Sequence, residues 1–318
     1  MSKQPRIILT LTGGLGNQLF QLAAALSTRK YPGEPIGLDW GIGRPRLNGA
    51  GLPELASFSL PQGVALLPKR KFSVLASKSN GYLLRMGFAP RTFERVSIIR
   101  TVIFSLGNLI STIYFRSKRE SCVCNNLGYA PIVVPKKPFV LIGYFQSYFY
   151  SNRSEVKDDL LAIKPINTHR VLDDLSRLSI EETPLVVHFR FGDYKSEPAF
   201  GIPSSKYYAD SISELWNSGN YKKIWVFSDE IDLAKEKFPP SYLSFVRWIE
   251  EIDNSAVLTL EAMRFGHGFV IANSSFSFWG AFLSYKGDSA KVIAPEPWFQ
   301  GTESPNQLIP PHWSRIQA

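Results

Sequence analysis

The sequence predicts an α/β protein with parallel sheets, and two observations support this prediction. In the second half of the 318-residue chain, short apolar runs alternate with segments of helical composition. The first half opens on a strand-like run, a glycine-rich loop and a helical segment. Both patterns are typical of parallel sheets whose two faces are covered by helices. Because domains usually contain about 100–200 residues, the length favours two of them.

The elements of the first half follow from apolar runs bounded by turn residues. Glycines and side-chain amides interrupt the apolar stretch from Ile7 to Leu26, so it predicts a strand, loop and helix rather than a signal peptide or membrane span. Residues 41–70 are rich in Gly and Pro and predict mostly loop. The predicted elements are strands at 6–11, 36–39 and 139–143 and helices at 17–26 and 94–115.

The second half predicts a Rossmann-like domain, whose right-handed crossovers place ligands at the carboxyl ends of the strands. A bridging helix at 155–163 leads into it, so we expect an N-terminal domain at 1–150 and a C-terminal domain at 151–318. The predicted strands are 184–189, 223–227, 243–248, 268–272 and 291–294, and the predicted helices are 204–216, 231–238, 256–265 and 276–285.

The basic excess of the chain is confined to one segment. The formal net charge is +9, from 36 Lys and Arg against 27 Asp and Glu. Residues 69–119 hold eleven of the basic residues and, among the acids, only Glu94. This excludes a protein coated with basic residues for nucleic-acid binding, but it leaves a local basic patch. The two cysteines cannot build a disulfide framework, so we expect a reducing compartment.

A glycine-rich loop, Gly13-Gly-Leu-Gly-Asn17, follows the first predicted strand. Glycines let a backbone approach a ligand closely, and the helix N-terminus that follows favours negative charge. Gly14 and Gly16 also fit the first half of a dinucleotide-binding fingerprint, with Asp39 ending the next strand, but Leu19 occupies the third glycine position. A plain turn and a ligand-binding loop both remain open from these residues.

The strand at 184–189 leads into His188-Phe-Arg-Phe-Gly-Asp-Tyr194. His188 and Arg190 are two residues apart and therefore share a strand face, where an arginine can clamp a diphosphate through two hydrogen bonds. Asp193 is a candidate base, or it holds Arg190 in place. The alternative is a structural ion pair in a loop. The arginine's position at a strand end of a parallel sheet favours ligand binding.

A third group of polar residues follows the strand at 268–272, in Asn273-Ser-Ser-Phe-Ser277. Ser and Asn are strong helix N-caps, but three serines exceed what one cap needs. Their hydroxyls, together with the free N–H groups of the helix start, predict an anion site. Asp229, just after the strand at 223–227, is a candidate acceptor for a base or a sugar hydroxyl. No two of the four histidines have metal-ligand spacing, so we expect no metal.

Taken together and in this order, the motifs resemble the bacterial α-1,2-fucosyltransferase family, glycosyltransferase family 11. The resemblance covers essentially the whole chain. Phe191 departs from it, because the family commonly has two consecutive arginines here. The matching motifs are Gly13-Gly-Leu-Gly-Asn-Gln-Leu-Phe-Gln21, Gly143-Tyr-Phe-Gln-Ser147, His188-x-Arg-x-Gly-Asp-Tyr194, Phe227-Ser-Asp229, Asn273-Ser-Ser-Phe-Ser-Phe-Trp279 and Val292-Ile-Ala-Pro-x-x-Trp-Phe299.

The resemblance implies a GT-B-like fold, with two Rossmann-like domains and a cleft between them. It implies inverting, metal-independent transfer of L-fucose from GDP-β-L-fucose to the 2-hydroxyl of a galactoside in a surface glycan, without a cofactor. Residues 1–150 are then the acceptor-side domain and 151–318 the GDP-sugar-binding domain. The catalytic residues are expected to be Arg190 and His188, which hold the β-phosphate, with Asp193 as the base. The implied donor-binding residues are Gly14, Gly16, Asn17, Asp229, Ser274, Ser275 and Phe276.

Two other classes of function remain open. The Gly13–Gly16 loop admits an NAD(P)-dependent oxidoreductase, and a fold of this kind also admits a non-catalytic glycan-binding protein. A nucleic-acid partner is disfavoured because the basic segment contains no recognised reading motif. The partners expected from the resemblance are GDP-fucose and a galactose-terminated glycan, which is lipid-linked in one version of this hypothesis.

The basic segment at 69–119 overlaps none of the donor motifs. Within it, residues 98–115 are mostly apolar and are flanked by Arg91, Arg95, Arg116, Lys118 and Arg119. This pattern is typical of an interfacial helix on anionic lipid, and equally of a core helix with solvated basic ends. The first interpretation predicts peripheral contact with an anionic membrane through 91–119. We therefore expect a cytoplasmic protein at the surface of the cytoplasmic membrane.

Overall fold

A computed structural model describes most of the chain. The described residues are 5–41, 43, 45–69, 121–125, 128–196, 200–250, 252, 255–301 and 303–318, with the backbone alone at 121–125, 193 and 196. The helix predicted at 94–115, and the basic segment apart from Lys69, lie outside these residues. The chain divides into two compact units, Met1–Ile163 with Pro305–Leu308, and Lys164–Ser304 with Ile309–Ala318.

The first unit is built on a parallel sheet whose central strand is the first in sequence. Its strands are β1 (Ile7–Thr10), β2 (Ile36–Asp39), β3 (Val64–Leu66), β4 (Ser121–Asn125) and β5 (Phe139–Gly143), and its helices α1 (Leu15–Ser27) and α2 (Ser154–Leu161). The strand order is β3-β2-β1-β5-β4. Every residue of β1 and β5 is buried, as expected for apolar runs in a sheet covered on both faces.

The second unit is built on a larger parallel sheet. Its strands are β6 (Leu185–Phe189), β7 (Ile224–Ser228), β8 (Val246–Ile249), β9 (Gly268–Val270), β10 (Lys291–Glu296) and β11 (Ser314–Gln317). Its helices are α3 (Arg170–Glu182), α4 (Ser205–Ser218), α5 (Ile231–Lys237), α6 (Ala256–Met263) and α7 (Ser275–Phe282). The order β11-β10-β9-β6-β7-β8 makes β6, β7 and β9 neighbours, so their carboxyl ends meet at one edge.

The core of the second unit anchors the segment that follows β6. Phe189, Phe191 and Tyr208 are buried together, with the rings of Phe189 and Tyr208 stacked at 3.9 Å between centroids. Burying an aromatic side chain of this size stabilises a fold by about 1.5–3 kcal/mol. The chain on either side of Arg190 is therefore held rigidly by its neighbours.

The prediction of an α/β protein with two Rossmann-like domains is confirmed. The two compact units meet in sequence at Ile163, whereas the sequence predicts that the second domain begins at residue 151. The difference is α2, which packs on α1 and therefore belongs with the first sheet. No helix among the described residues is long and apolar enough to span a bilayer.

The strands that the sequence does not predict are short or polar. The strands β3 and β4 have three and five residues, and β3 lies in a stretch predicted as loop. The edge strand β11 is mostly exposed and carries Arg315. The strand predicted at 243–248 is shorter and begins at Val246, because Pro240–Phe245 forms a 3-10 helix. Helix α3 was also not predicted.

Candidate active site

The polar residues predicted after three different strands converge at one edge of the second sheet. His188 is the fourth residue of β6, Arg190 follows that strand, and Asp229 follows β7. Ser274 lies between β9 and α7. Because β7, β6 and β9 are adjacent and parallel, the loops after them share the carboxyl edge, where ligands of such sheets bind.

Asp229 holds Arg190 and the backbone beside it. One carboxylate oxygen, Oδ2, lies 3.1 Å from Nη1 of Arg190, and the other, Oδ1, accepts the Phe191 N–H at 3.0 Å. The two side chains remain 20% and 22% exposed, so a ligand can still reach the guanidinium. Asp229 therefore orients the arginine. This is a more specific role than the donor contact that the sequence predicts for it.

Gly192 makes room for this ion pair. A Cβ at this position would lie 2.5 Å from Oδ2 of Asp229, closer than a real contact allows. The glycine in the motif is therefore explained by the approach of the carboxylate, which any larger residue would displace.

The Phe191 side chain points away from this site. It is fully buried, and its ring stacks on that of Phe189 at 5.9 Å between centroids. An arginine here would have to bury its charge in the aromatic core or move the backbone. Phe191 is thus a core residue in this protein, and the segment directs Arg190 towards the strand edge.

His188 is a buried, neutral imidazole. Its side chain lies beside the Phe276 ring, 5.8 Å away between centroids, and its Nδ1 is 2.5 Å from Oγ of Ser277. Burial, reinforced by the charge of Arg190, lowers the pKa of His188 from 6.5 to about 3. The ring therefore carries one N–H and one lone pair at neutral pH. It can donate a hydrogen bond to a phosphate, but it adds no charge.

The residues at the start of α7 cap the helix and also make hydrogen bonds to the segment that follows β6. The Ser274 hydroxyl accepts the Phe276 N–H at 3.3 Å, so the capping role considered for this serine is present. Asn273 donates through Nδ2 to the carbonyls of Phe200 and Gly201 at 2.9 and 3.1 Å. The backbone carbonyl of Asn273 accepts a hydrogen bond from the Tyr194 hydroxyl at 2.9 Å. These bonds tie the segment after β6 to the helix start.

Ser275 and Phe276 occupy the first turn of α7 and are both half-buried. An α-helix leaves the N–H groups of its first turn without partners in the helix. The predicted anion site at 274–276 thus coincides with a helix start beside His188. Asp193 lies in the 3-10 turn Gly192–Ser196, where only its backbone is described, so its predicted role as base stays a prediction.

The glycine-rich loop of the first unit is fixed by amide side chains. Gly13 adopts φ 69°, in the left-handed region, and Gly14 caps α1. Gln18 donates to the Gly13 and Arg46 carbonyls at 3.0 and 3.2 Å and accepts the Leu55 N–H at 2.9 Å. These hydrogen bonds fix the shape of the loop.

The other predicted donor residues of this loop differ in exposure. Gly16 is buried in the first turn of α1, whereas Gly14 and Asn17 are half-buried at its surface. Asn17 accepts a hydrogen bond from Nε2 of Gln146 at 2.8 Å. Asp39 is 1% exposed and accepts the Gly41 N–H at 3.0 Å, so its carboxylate is turned into its own loop. That placement disfavours the ribose-binding role in a dinucleotide site.

Two residues of these sites were not predicted individually. Ser277 is the third serine of the 273–277 group. The available signal was that one helix cap needs fewer than three serines. Gln146 belongs to the Gly143-Tyr-Phe-Gln-Ser147 motif, but nothing in one sequence indicates that it meets Asn17. Within the described ranges, no three His, Cys, Asp or Glu side chains come together where they could hold a metal ion.

Comparison with known proteins identifies the family. The model of Glycosyl transferase family 11 matches residues 7–316. The chain belongs to this family. It is 33% identical over 321 residues to an Escherichia coli alpha-1,2-colitosyltransferase, across 98% of this chain and 99% of the relative. It is 26% identical to the Escherichia coli O-antigen biosynthesis glycosyltransferase WbnK, across 96% and 99%.

The resemblance recognised in the motifs is thus confirmed at the level of the family, and the protein is a family 11 glycosyltransferase. Among solved structures, fucosyltransferase NodZ from Bradyrhizobium is similar over 88% of this chain and 94% of its own, at 14% identity and a TM-score of 0.48.

Proposed function

We propose that this glycosyltransferase transfers L-fucose, with inversion, from GDP-β-L-fucose to the 2-hydroxyl of a galactoside in a surface glycan. The observation that supports this most strongly is the arrangement at the second sheet. There Arg190, oriented by Asp229, and neutral His188 lie at the carboxyl edge beside the start of α7. The names of the two relatives support a 1,2 linkage and a polysaccharide acceptor.

The chemistry requires a stabilised leaving group. The acceptor oxygen forms a bond to C1 of the sugar as the bond from C1 to the β-phosphate oxygen breaks. GDP leaves with the electron pair, and the hydroxyl proton passes to a base. Arg190 balances the charge that develops on the β-phosphate, and His188 donates a hydrogen bond to it. Preoriented groups of this kind stabilise a transition state effectively because they need no reorganisation during the reaction. In this proposal no metal ion takes part.

The donor-binding roles are assigned by position. Ser275 and the first N–H groups of α7 receive the diphosphate, because a helix N-terminus favours an anion. Ser274 shapes this turn as its cap, and the half-buried Phe276 ring borders the nucleoside. Asp229 acts on the donor indirectly, by orienting Arg190. The donor contacts of Gly14, Gly16 and Asn17 are a further part of the proposal and rest on the family resemblance. The base role of Asp193 is also part of it and rests on the position of this carboxylate three residues after Arg190.

A second donor is favoured by one specific observation, the 33% identity to an alpha-1,2-colitosyltransferase. Colitose lacks the 3-hydroxyl of L-fucose, so the two candidate donors differ at one group of the sugar. A site that hydrogen-bonds this hydroxyl rejects the deoxy sugar strongly, whereas an apolar site discriminates weakly. The GDP moiety and the groups that hold it are the same in both reactions.

The acceptor is proposed to be galactose-terminated and carried on a lipid at the cytoplasmic membrane. The support for membrane contact is the sequence of residues 91–119, where a mostly apolar stretch is flanked by basic residues; this segment lies outside the described residues. Binding to vesicles of anionic lipid at low salt tests it. Reversing the charges of Arg116, Lys118 and Arg119 should weaken that binding, since each basic residue near an anionic surface contributes about 1 kcal/mol, and no binding at low salt would refute the proposal.

The donor and linkage are tested together by one assay. Purified protein is incubated with GDP-L-fucose or GDP-colitose and a panel of galactosides, and the product is analysed by NMR. We expect GDP release and an α-1,2-linked product with a galactose-terminated acceptor. Binding of NAD(P) in place of GDP would overturn the proposal in favour of an oxidoreductase. Glycan binding without donor transfer or hydrolysis would indicate a non-catalytic protein.

A further inference from the structure

Ser277, a residue of α7, contacts the imidazole of His188, which lies in β6. Its side chain is fully buried, and its Oγ lies 2.5 Å from Nδ1 of His188, which is 4% exposed. A serine inside a helix commonly bonds the carbonyl one turn earlier. That carbonyl, of Asn273, accepts the Tyr194 hydroxyl instead, and the Ser277 hydroxyl meets the histidine.

A buried hydroxyl and a neutral imidazole can share one hydrogen bond in two ways. The hydroxyl donates to unprotonated Nδ1, which leaves the proton on Nε2, or Nδ1–H donates to the oxygen, which leaves a lone pair on Nε2. With Nδ1 engaged by Ser277, Nε2 is the ring nitrogen left for a ligand. A diphosphate presents acceptor oxygens, so only Nε2–H attracts it, and a lone pair there would repel it.

We propose that Ser277 is a positioning residue, whose hydroxyl donates to Nδ1 of His188 and thereby keeps the proton on Nε2, facing the leaving diphosphate. The use of this proton on a GDP-sugar rests on the proposed function. The assignment of the tautomer does not depend on the proposed function. The Phe276 ring lies 5.8 Å from the imidazole between centroids and limits its rotation, so one serine and one aromatic side chain of α7 fix both the proton and the orientation of His188.

The tautomer can be measured directly by ¹⁵N NMR on protein labelled at histidine, since the chain has four histidines. We expect Nδ1 of His188 to show the shift of an unprotonated nitrogen and Nε2 that of an N–H, with the Nε2–H signal moving when GDP is added. A wild-type ring protonated on Nδ1 would overturn the proposal without any variant.

Ser277→Ala removes the donor, and Ser284→Ala is its matched control. Ser284 is also a buried serine of the second unit, and its hydroxyl donates to the Gly266 carbonyl at 3.0 Å, near the opposite end of β9. We expect Ser277→Ala to yield a mixture of tautomers and to lower kcat about tenfold, the effect of one hydrogen bond, with a smaller change in KM for the donor. Ser284→Ala should leave kcat and the tautomer unchanged.

The outcomes separate the two proposals. A single Nε2–H tautomer in Ser277→Ala, or an equal loss of kcat in both variants, would show that Ser277 is only a packing residue. Failure of GDP to perturb His188 while the tautomer shifts as expected in Ser277→Ala would refute the GDP-sugar function and leave the role of Ser277 intact.

Discussion

The glycine-rich loop of the first unit and the loop after β6 in the second unit occupy the same position in their sheets, but they use polar residues differently. In the first, Gln18 and Gln21 are fully buried and bond to loop backbone, including both the N–H and the carbonyl of Thr12. In the second, Arg190 and Asp229 stay about one-fifth exposed and bond to each other. Polar residues after a strand therefore build the loop in one unit and present charge in the other.

The largest effect on activity is expected when the charge of Arg190 is removed. Arg190→Ala removes the guanidinium that balances the leaving diphosphate, and turnover should fall by about 10²–10³-fold. Lys195→Ala is the control, because this exposed lysine of the same segment pairs with Glu230. The measurement is kcat with GDP-fucose at equal thermal stability. Loss of activity of similar size in both variants would mean that the charge of Arg190 has no special role.

A smaller but still large loss is expected from Gly192→Ala. The added methyl meets Oδ2 of Asp229, so the ion pair has to open and Arg190 loses its orientation. We expect kcat to fall about tenfold or more, as for other lost charge-assisted hydrogen bonds. Gly49→Ala is the control, because its Cβ would meet nothing within 4 Å. Unchanged kcat in Gly192→Ala would show that the pair is not needed.

In the first unit, removal of a buried amide side chain should lower the stability of the fold. Gln18→Ala removes three hydrogen bonds to the backbone of 13–55 and leaves the N–H of the buried Leu55 without its partner. We expect the free energy of unfolding to fall by about 2–4 kcal/mol, measured in urea, with a smaller effect on kcat per folded molecule. Gln146→Ala, which removes one half-buried bond to Asn17, should cost less than about 1 kcal/mol. An equal cost in both variants would contradict the comparison.

The last effect concerns acid stability and is confined to low pH. The folded-state pKa of His188 is depressed to about 3, so between pH 6.5 and 3 the unfolded chain binds a proton that the folded chain does not. Stability from this group is complete above pH 6.5 and declines as the pH falls, by up to about 1.4 kcal/mol per pH unit. The pH slope of unfolding between 4 and 6 should be shallower in His188→Asn than in wild type, and parallel slopes would refute the burial of a neutral ring.

The parts of this architecture that the sequence predicts are those with strong local signals. The strands β6, β7 and β9 are apolar runs, so the positions of their ends are enough to predict that His188, Arg190, Asp229 and Ser274 gather at one edge. The strand β11 was not predictable, because an exposed edge strand has no apolar period. Helix α3 was not predicted although it carries a signal, since Leu172 and Leu175 are apolar, lie at helical spacing and are both buried.

Contacts between distant residues were the hardest to predict. Ser277 and His188 are 89 residues apart, and Asp229 is 38 residues from the Phe191 N–H that it accepts. The sequence indicates which residue types gather at the edge. It does not indicate that the carboxylate serves the arginine, because that depends on the register of β6 against β7 and on the room left by Gly192.

A double-mutant cycle between Arg190 and Asp229 tests the central claim most directly, namely that Asp229 acts through Arg190 on the leaving diphosphate. The measurement is kcat/KM for wild type, Arg190→Ala, Asp229→Ala and the double variant. We predict a large loss for either single change, and almost no further loss when Asp229→Ala is added to Arg190→Ala. The same fold-loss from Asp229→Ala in both backgrounds would contradict the account, since the carboxylate would then act on the substrate independently.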